Sequence, residues 1–380
     1  MPDTHVHSTI SLREHISALL RGQTEIIDCE QNNIDKVVEL ASKHGVTALL
    51  YAALDGRAEH DVYTDSLCDA LKPKAFQQAA CAAIVEREIK QIVSQLDKNG
   101  IKFLLLKGTP LAYTLYSEAH LRPRVDTDLL IVQDDRARIK LLLSKLGFTP
   151  EPGIDGTLAT HQFMLSKETE QGLTVTLDIH WKITNPQVFA SLLDLDELYR
   201  DRQAIQALGP GAYAPSPLHL LTHALIHRIA HHHERERLIW LYDIYLLTEH
   251  LDKLSLQKFI ALCQTKKIST VCLDGIKEAH NEFGGENLQR LIQLMAKSMA
   301  TNVNSVEENS TKAFLKPGFD SVDQFRSDWK TCNWSQRLQL LNEHCFPSSS
   351  YMHLRYGDAP LPLLYLNRFG NGFKKLLGIN

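Results

Sequence analysis

Three aspartates and one Lys-Gly turn are the residues of this chain whose types and spacing suggest chemistry. Arg124-Val125-Asp126-Thr127-Asp128 runs straight into the apolar stretch Leu129–Val132. Read as a single strand over 124–132, its side chains alternate with period two. Arg124, Asp126 and Asp128 then share one face, and Val125, Thr127 and Leu129 the other. Two carboxylates this close can share a divalent cation through hard oxygen ligands. Without a metal or a counter-charge, their repulsion would raise one pKa sharply, and Arg124 offsets it only in part. The plainer reading of such aspartates is a turn or a solvated surface, and it suits Asp134 and Asp135 at the start of a helix. It suits Asp126 and Asp128 less well, because a solvated face rarely leads into a Leu-Leu-Ile-Val strand.

A third acid comes from a later strand. Over 173–181, Leu173, Val175, Leu177 and Ile179 alternate with Thr174, Thr176, Asp178 and His180. Asp178 is thus a lone acid on the polar face, with His180 next to it on that face. Taken alone it is as readily a surface residue as a site residue; beside Asp126 and Asp128 it reads as a third metal ligand.

Upstream, Lys107-Gly108-Thr109 follows the apolar run Phe103–Leu106 and precedes a helical pattern. Thr109 is expected as the N-cap, with Pro110 at the first helical position, where a missing N–H costs least. Gly108 reads either as a tight turn or as a place where a phosphate chain approaches the backbone. A helix start supplies free N–H groups and the positive end of the dipole. Lys107 adds a cation and Thr109 a hydroxyl. Alone this turn is a weak signal; ahead of an Asp-x-Asp strand it is a stronger one.

His219, His223, His227 and His231 recur every four residues and are followed by His232 and His233. This spacing stacks side chains along one helix face. Three readings fit: a structural metal, a polar face lining a cleft, or plain packing. No third ligand at metal-site spacing accompanies the histidines. His231–His233 suit an exposed helix end, where cations complement the dipole. Downstream, Trp240 and Tyr242 read as core residues or as a stacking surface for a base.

The elements that must position these residues follow from periodicity. The first hundred residues read as helices, including 34–54 with Gly45 as a C-cap, and a long amphipathic helix from Lys74 that ends at Gly100. An α/β passage follows: strand 101–106, helix 109–119, strand 124–132, a helix leaving at Gly147, and a hairpin of strands 161–167 and 173–181 around Glu168–Gly172. From Pro215 onward the pattern is helical again, with 299–318 as a polar loop.

Strand, Gly-Thr turn, helix, Asp-x-Asp strand and a later single acid together resemble the nucleotidyltransferase superfamily of DNA polymerase β-like fold. Within it, "LLLKG", "DTDLLI", "LDIHW" and "LHLLTHALIH…WLYDIYLL" are similar to the uncharacterised nucleotidyltransferase family, over about residues 10–375. The resemblance implies an α+β fold. Its small mixed-sheet core (101–205) would be flanked by a helical N-terminal region (1–100) and a mainly helical C-terminal domain (206–380). It implies Mg²⁺- or Mn²⁺-dependent transfer of a nucleoside monophosphate from a nucleoside triphosphate. Asp126 and Asp128 match the metal-binding pair, Asp178 the third acid, and Gly108 and Thr109 the phosphate-contacting turn. Lys107, Arg122 and Arg124 would neutralise phosphate charge, and His180 and the cleft histidines His219, His223 and His227 would face the nucleotide. Lys-Gly-Thr stands where many members of the superfamily have Gly-Ser or Gly-Gly.

The totals agree with an ordinary globular chain. It has 380 residues, 44% hydrophobic and 23% charged, with 41 Lys plus Arg against 45 Asp plus Glu and a formal charge of −4. That balance exerts no global pull on nucleic acid, so a small molecule, sugar phosphate or protein is the expected acceptor in preference to RNA. The seven cysteines are odd in number and include no CxxC pair, which points to reduced thiols in a cytoplasmic setting. No apolar run reaches the roughly 18 residues a membrane span needs, and no signal peptide is visible. A different class stays open: a non-catalytic protein that keeps the fold and binds a nucleotide or a partner. A histidine-based metalloprotein is the third.

Overall fold

The computed structural model describes residues 11–23, 34–58, 61–154, 156–231, 236–301 and 308–376. Four helices come first: α1 (Leu12–Leu20), α2 (Ile34–His44), α3 (Thr47–Asp55) and α4 (Val62–Lys98). The α/β passage then runs β1 (Phe103–Leu106), α5 (Gly108–Thr114), β2 (Thr127–Ile131), α6 (Arg136–Ser144), β3 (Thr149–Pro150), β4 (Gln162–Glu168) and β5 (Thr174–His180). Short elements follow: α7 (Gln187–Ala190), α8 (Leu195–Arg200), β6 (Gln203–Ala204) and β7 (Tyr213–Ala214). The remainder is helical: α9 (Pro217–His231), α10 (Leu238–Glu249), α11 (Lys253–Thr265), α12 (Ser269–Phe283), α13 (Glu286–Thr301), α14 (Glu308–Lys312), α15 (Ser321–Thr331), α16 (Trp334–Cys345), α17 (Ser349–Tyr356) and α18 (Leu361–Leu376).

Five strands form one mixed sheet in the order β1-β2-β5-β4-β3, with β2 and β5 parallel and the other pairs antiparallel. This is the expected α+β architecture, a small sheet flanked by helices. Both faces of the sheet are covered, so β1 and the Leu129–Ile131 part of β2 are continuous apolar runs, not alternating ones. On one face Phe103, Leu105, Leu129, Ile131, Leu177 and Ile179 pack with Ile139 and Leu143 of α6 and with Ile89, Ile92, Val93 and Leu96 of α4. On the other, Leu104, Leu106 and Leu130 join a larger core. That core also holds Leu50 and Leu54 of α3, Leu67 and Leu71 of α4, and residues of α9, α10 and α12. Helices from before and after the sheet therefore share one core, and α4 reaches from it to the other side of the sheet.

Several boundaries differ from the sequence expectation. Helix α4 starts at Val62, well before Lys74, because Asp61 caps it by accepting from the Thr64 N–H at 2.7 Å and Leu67, Cys68 and Leu71 give its first turns a buried face. Pro73 is tolerated inside it on the exposed side of the helix. Gly45 and Gly100 take positive φ (72° and 64°) just beyond α2 and α4, as their expected role requires. Strand β2 begins at Thr127, not at Arg124. Its partner β1 ends at Leu106, opposite Asp128, and its pairing with β5 begins only at Thr127, opposite Leu177, so residues 124–126 are held by neither ladder. The expected loop 299–318 is partly helical, through the end of α13 and α14; residues 302–307 lie outside the described residues.

Candidate active site

The turn after β1 sets the geometry. Lys107, not Thr109, is the N-cap of α5, and it takes φ 53°, the left-handed region that a non-glycine residue enters only under strain. The helix therefore starts one residue before Thr109. That leaves Thr109 fully buried, without a capping role and off the cavity wall. Gly108 has a steric reason to be glycine. A Cβ there would stand 3.1 and 3.3 Å from two guanidinium atoms of Arg122 and 3.3 Å from Arg124 Cγ. The missing side chain lets both arginines close over the turn.

Asp128 and Asp178 are direct neighbours across the parallel β2–β5 pair, and both are buried. His180, two residues after Asp178, shares its face; its Nε2 lies 2.9 Å from Asp128 Oδ1 and 3.1 Å from Asp178 Oδ2. Lys107 Nζ is 2.5 Å from Asp128 Oδ1 and 4.0 Å from Asp178 Oδ2. Burial opposes charge on Asp128, but the Lys107 ammonium and the His180 ring outweigh it and hold this carboxyl well below the usual range. Burial likewise opposes charge on Lys107, and Asp128 and Asp178 outweigh it in turn, keeping the ammonium protonated. His180 is raised despite burial, chiefly by Asp178. Asp126 sits in the bend before β2, not in the strand. Burial, then the charge on Asp128, pushes it up to about 6.

Lys107, Asp126 and Asp128 face a cavity of about 460 Å³ between the sheet and the helices α9 and α10. Its wall includes Lys107, Gly108, Arg122, Arg124, Asp126 and Asp128 from the α/β passage. From the helices it takes His223, His227 and Trp240. Asp178 and His180 do not line it; they lie behind Asp128 and Lys107.

Two arginines expected to meet phosphate have different surroundings. Arg122 is buried and donates from Nε and Nη2 to Asp243 of α10, the closest approach being 2.7 Å. Its remaining Nη1 donates to the Pro123 carbonyl. Arg122 is thus tied into the wall, not held free for a ligand. Arg124 packs its guanidinium over the Tyr113 ring at 5.1 Å, and its buried Nη1 has no hydrogen-bond partner.

Of the α9 histidines, His223 and His227 line the cavity, with ring centroids 6.0 Å apart. His223 donates from Nε2 to the Ile183 carbonyl, and burial, then the charge on Lys107, holds it neutral with a pKa of about 4. His219 is turned away from the cavity, next to Ser216 Oγ at 3.0 Å and Glu197 of α8 at 4.0 Å. His232 and His233 lie outside the described residues, as does the side chain of His231. Trp240 is half-buried on the cavity wall, whereas Tyr242 packs with Tyr116, Tyr245 and Phe283.

Two contributors were not among the expected site residues. Gln162 of β4 donates to Asp178 Oδ2 at 2.7 Å and also lines the cavity. It stands opposite His180 in the β4–β5 register, so the hairpin already carried the signal once its pairing was known. Asp243 anchors Arg122, and no local pattern announces a partner so distant in sequence.

The ligand atoms of Asp128, Asp178 and His180 all lie within 4.8 Å of one another, an arrangement able to hold a metal ion. Asp178 Oδ1, buried and without a hydrogen-bond partner, fits that use. No helix among the described residues is long and apolar enough to cross a membrane.

The sequence matches the family model for uncharacterised nucleotidyltransferases over residues 30–284. The chain belongs to that family and is by membership a nucleotidyltransferase. No curated protein matches it.

Proposed function

We propose that this nucleotidyltransferase moves a nucleoside monophosphate from a nucleoside triphosphate to an acceptor oxygen, exchanging the bond from the α-phosphorus to pyrophosphate for one to the acceptor. The observation that carries the reading is the register pairing of Asp128 with Asp178, two buried carboxylates whose neighbours open onto a ligand-sized cavity. Asp126, Asp128 and Asp178, with His180, would hold Mg²⁺ or Mn²⁺. Bound there, the metal supplies charge stabilisation at the reacting phosphate and activates the acceptor oxygen.

The chain's own residues do the rest. Arg124 and Lys107 present positive charge to the phosphates. Gly108 leaves the room in which Arg124 closes over the turn beside the phosphates. Trp240, His223 and His227 form the wall opposite the acids and bound the base and sugar. Gln162 holds Asp178 in place through its amide. The division into a core at 101–205 with helical regions before and after it belongs to the same reading: the core carries the acids and the later helices close the cavity.

The acceptor is a small molecule, a sugar phosphate or a protein in preference to RNA, since a formal charge of −4 gives no general affinity for a polyanion. The six described cysteines are free thiols, which supports a reducing, cytoplasmic setting. The test is transfer from α-labelled nucleoside triphosphates in the presence of Mg²⁺ or Mn²⁺ and cell extract. Asp128→Asn and Asp126→Asn are expected to reduce labelling on the order of 100-fold or more. Undiminished labelling by either variant refutes the assignment.

A further inference from the structure

Resting on the nucleotidyl-transfer reading, we infer that Lys107 is the resident counter-cation of the acid pair. In this view its ammonium competes with the divalent ion for the same ligand atoms, so that metal is captured efficiently only together with a phosphate chain that takes over the displaced ammonium.

The geometry behind this is direct. Lys107 Nζ stands 2.5 Å from Asp128 Oδ1, 3.4 Å from His180 Nε2 and 4.0 Å from Asp178 Oδ2. Among the described residues, those are the side chains whose atoms cluster tightly enough to ligate a metal. Lys107 lines the cavity while Asp178 and His180 do not. A cation arriving through the cavity therefore meets the ammonium before it meets the full ligand set. Two positive charges cannot share the site: at contact distance their repulsion amounts to several kcal/mol even in a moderately polar interior.

The backbone supports a dedicated role for this lysine. Glycine would take φ 53° without strain, yet a lysine holds that position between β1 and α5. Once displaced, the ammonium needs another anion, because a buried unpaired cation is costly. Triphosphate oxygens in the adjoining cavity meet that need. Metal and nucleotide binding become positively coupled through one side chain.

The experiment is Mn²⁺ titration of the full-length protein, with free Mn²⁺ followed by its EPR signal, for the wild type, Lys107→Met, Lys107→Arg and Asp128→Asn. Each is measured with and without a non-hydrolysable nucleoside triphosphate analogue. Without nucleotide, Lys107→Met is expected to bind Mn²⁺ about tenfold or more tightly than the wild type, and Lys107→Arg, which keeps the charge, no more tightly. With the analogue present, the advantage of Lys107→Met shrinks, because the wild-type ammonium then has its other partner. If Lys107→Met is less stable, thermal melting reads the same quantity: Mn²⁺ should raise its Tm by more than it raises that of the wild type. Equal or weaker Mn²⁺ binding by Lys107→Met, with binding still lost in Asp128→Asn, overturns the competition and leaves nucleotidyl transfer standing. Mn²⁺ binding that survives Asp128→Asn overturns both.

Discussion

Arg122 and Asp243 form a buried, two-pronged ion pair that joins the loop before β2 to helix α10. The same carboxylate accepts from the Tyr116 hydroxyl at 2.7 Å. Burial alone would weaken the charge on Arg122; Asp243 outweighs it and keeps the guanidinium charged. One link therefore fixes the cavity wall at the point where sheet and helices meet. Removing one partner strands the other charge in the interior, which costs about 3–5 kcal/mol. Arg122→Met and Asp243→Leu should each lose about that much in urea unfolding. The double variant should lose clearly less than the sum, because neither charge is then left unpaired. Additive losses would mean that the two residues do not act as a pair.

Gly108→Ala tests how closely the arginines sit on the turn. Gly108 does not have a positive φ, so alanine meets no backbone penalty there. Its methyl group would stand 3.1 Å from Arg122 Nη1, and Arg122 cannot yield easily while Asp243 holds it. The expected cost is about 1–3 kcal/mol of stability, with a raised KM for the nucleotide as Arg124 is displaced. Unfolding curves and steady-state kinetics on the same preparation check both. A neutral result would show that the guanidinium has room to move.

Much of this arrangement was legible in the sequence, and what escaped did so for definite reasons. Strand period two put Asp128 and Asp178 on the polar side of their strands, and it held because residues 127–131 and 174–180 do pair. It failed for Arg124 and Asp126, since period two says nothing about where pairing with the neighbouring strands begins. The Thr-Pro pair pointed to a cap at Thr109, but the positive φ of Lys107 started the helix earlier, and no composition rule anticipates a left-handed lysine. His219 fell off the cavity because four residues of α-helix turn about 400°, a drift of about 40° per step. By His227 the row has rotated about 80° from His219. Gln162 and Asp243 needed the register and the tertiary fold, which local patterns do not encode.

His44 gives the fold a pH dependence of predictable sign. It is buried, and its Nδ1 accepts from the Leu238 N–H at 3.3 Å, linking α2 to the start of α10. Burial, then the charges of Arg13, Lys43 and Arg237, lowers its pKa to about 4. Unfolded, the ring regains an ordinary value of about 6.5. Between these two values the unfolded chain binds the proton and the folded chain does not, so stability falls as pH drops from about 6.5 toward 4. His44→Asn retains an acceptor but cannot titrate, and should reduce the slope of Tm against pH in that window, His223, also lowered to about 4, keeping its own share. The wild-type slope persisting in the variant would assign it to another group.

Trp240 separates a ligand-binding wall from ordinary packing. Its ring lines the cavity opposite the acids, half-buried, with the Arg237 guanidinium 5.7 Å from its centre. A nucleobase stacked on that face would gain about 1–3 kcal/mol, the equivalent of roughly 5- to 150-fold in affinity. Trp240→Ala should therefore weaken binding of a nucleoside triphosphate analogue by about tenfold or more, while Trp240→Phe, which keeps an aromatic face, should recover most of it. A residue that only fills space predicts a different pattern. Stability would drop in Trp240→Ala by an amount set by the lost contacts, and the affinity of the protein still folded would be unchanged. Fluorescence titration with the analogue, read beside a melting curve for each variant, distinguishes the two. Unaltered affinity in Trp240→Ala would move the base elsewhere in the cavity, toward the His223 and His227 side of α9.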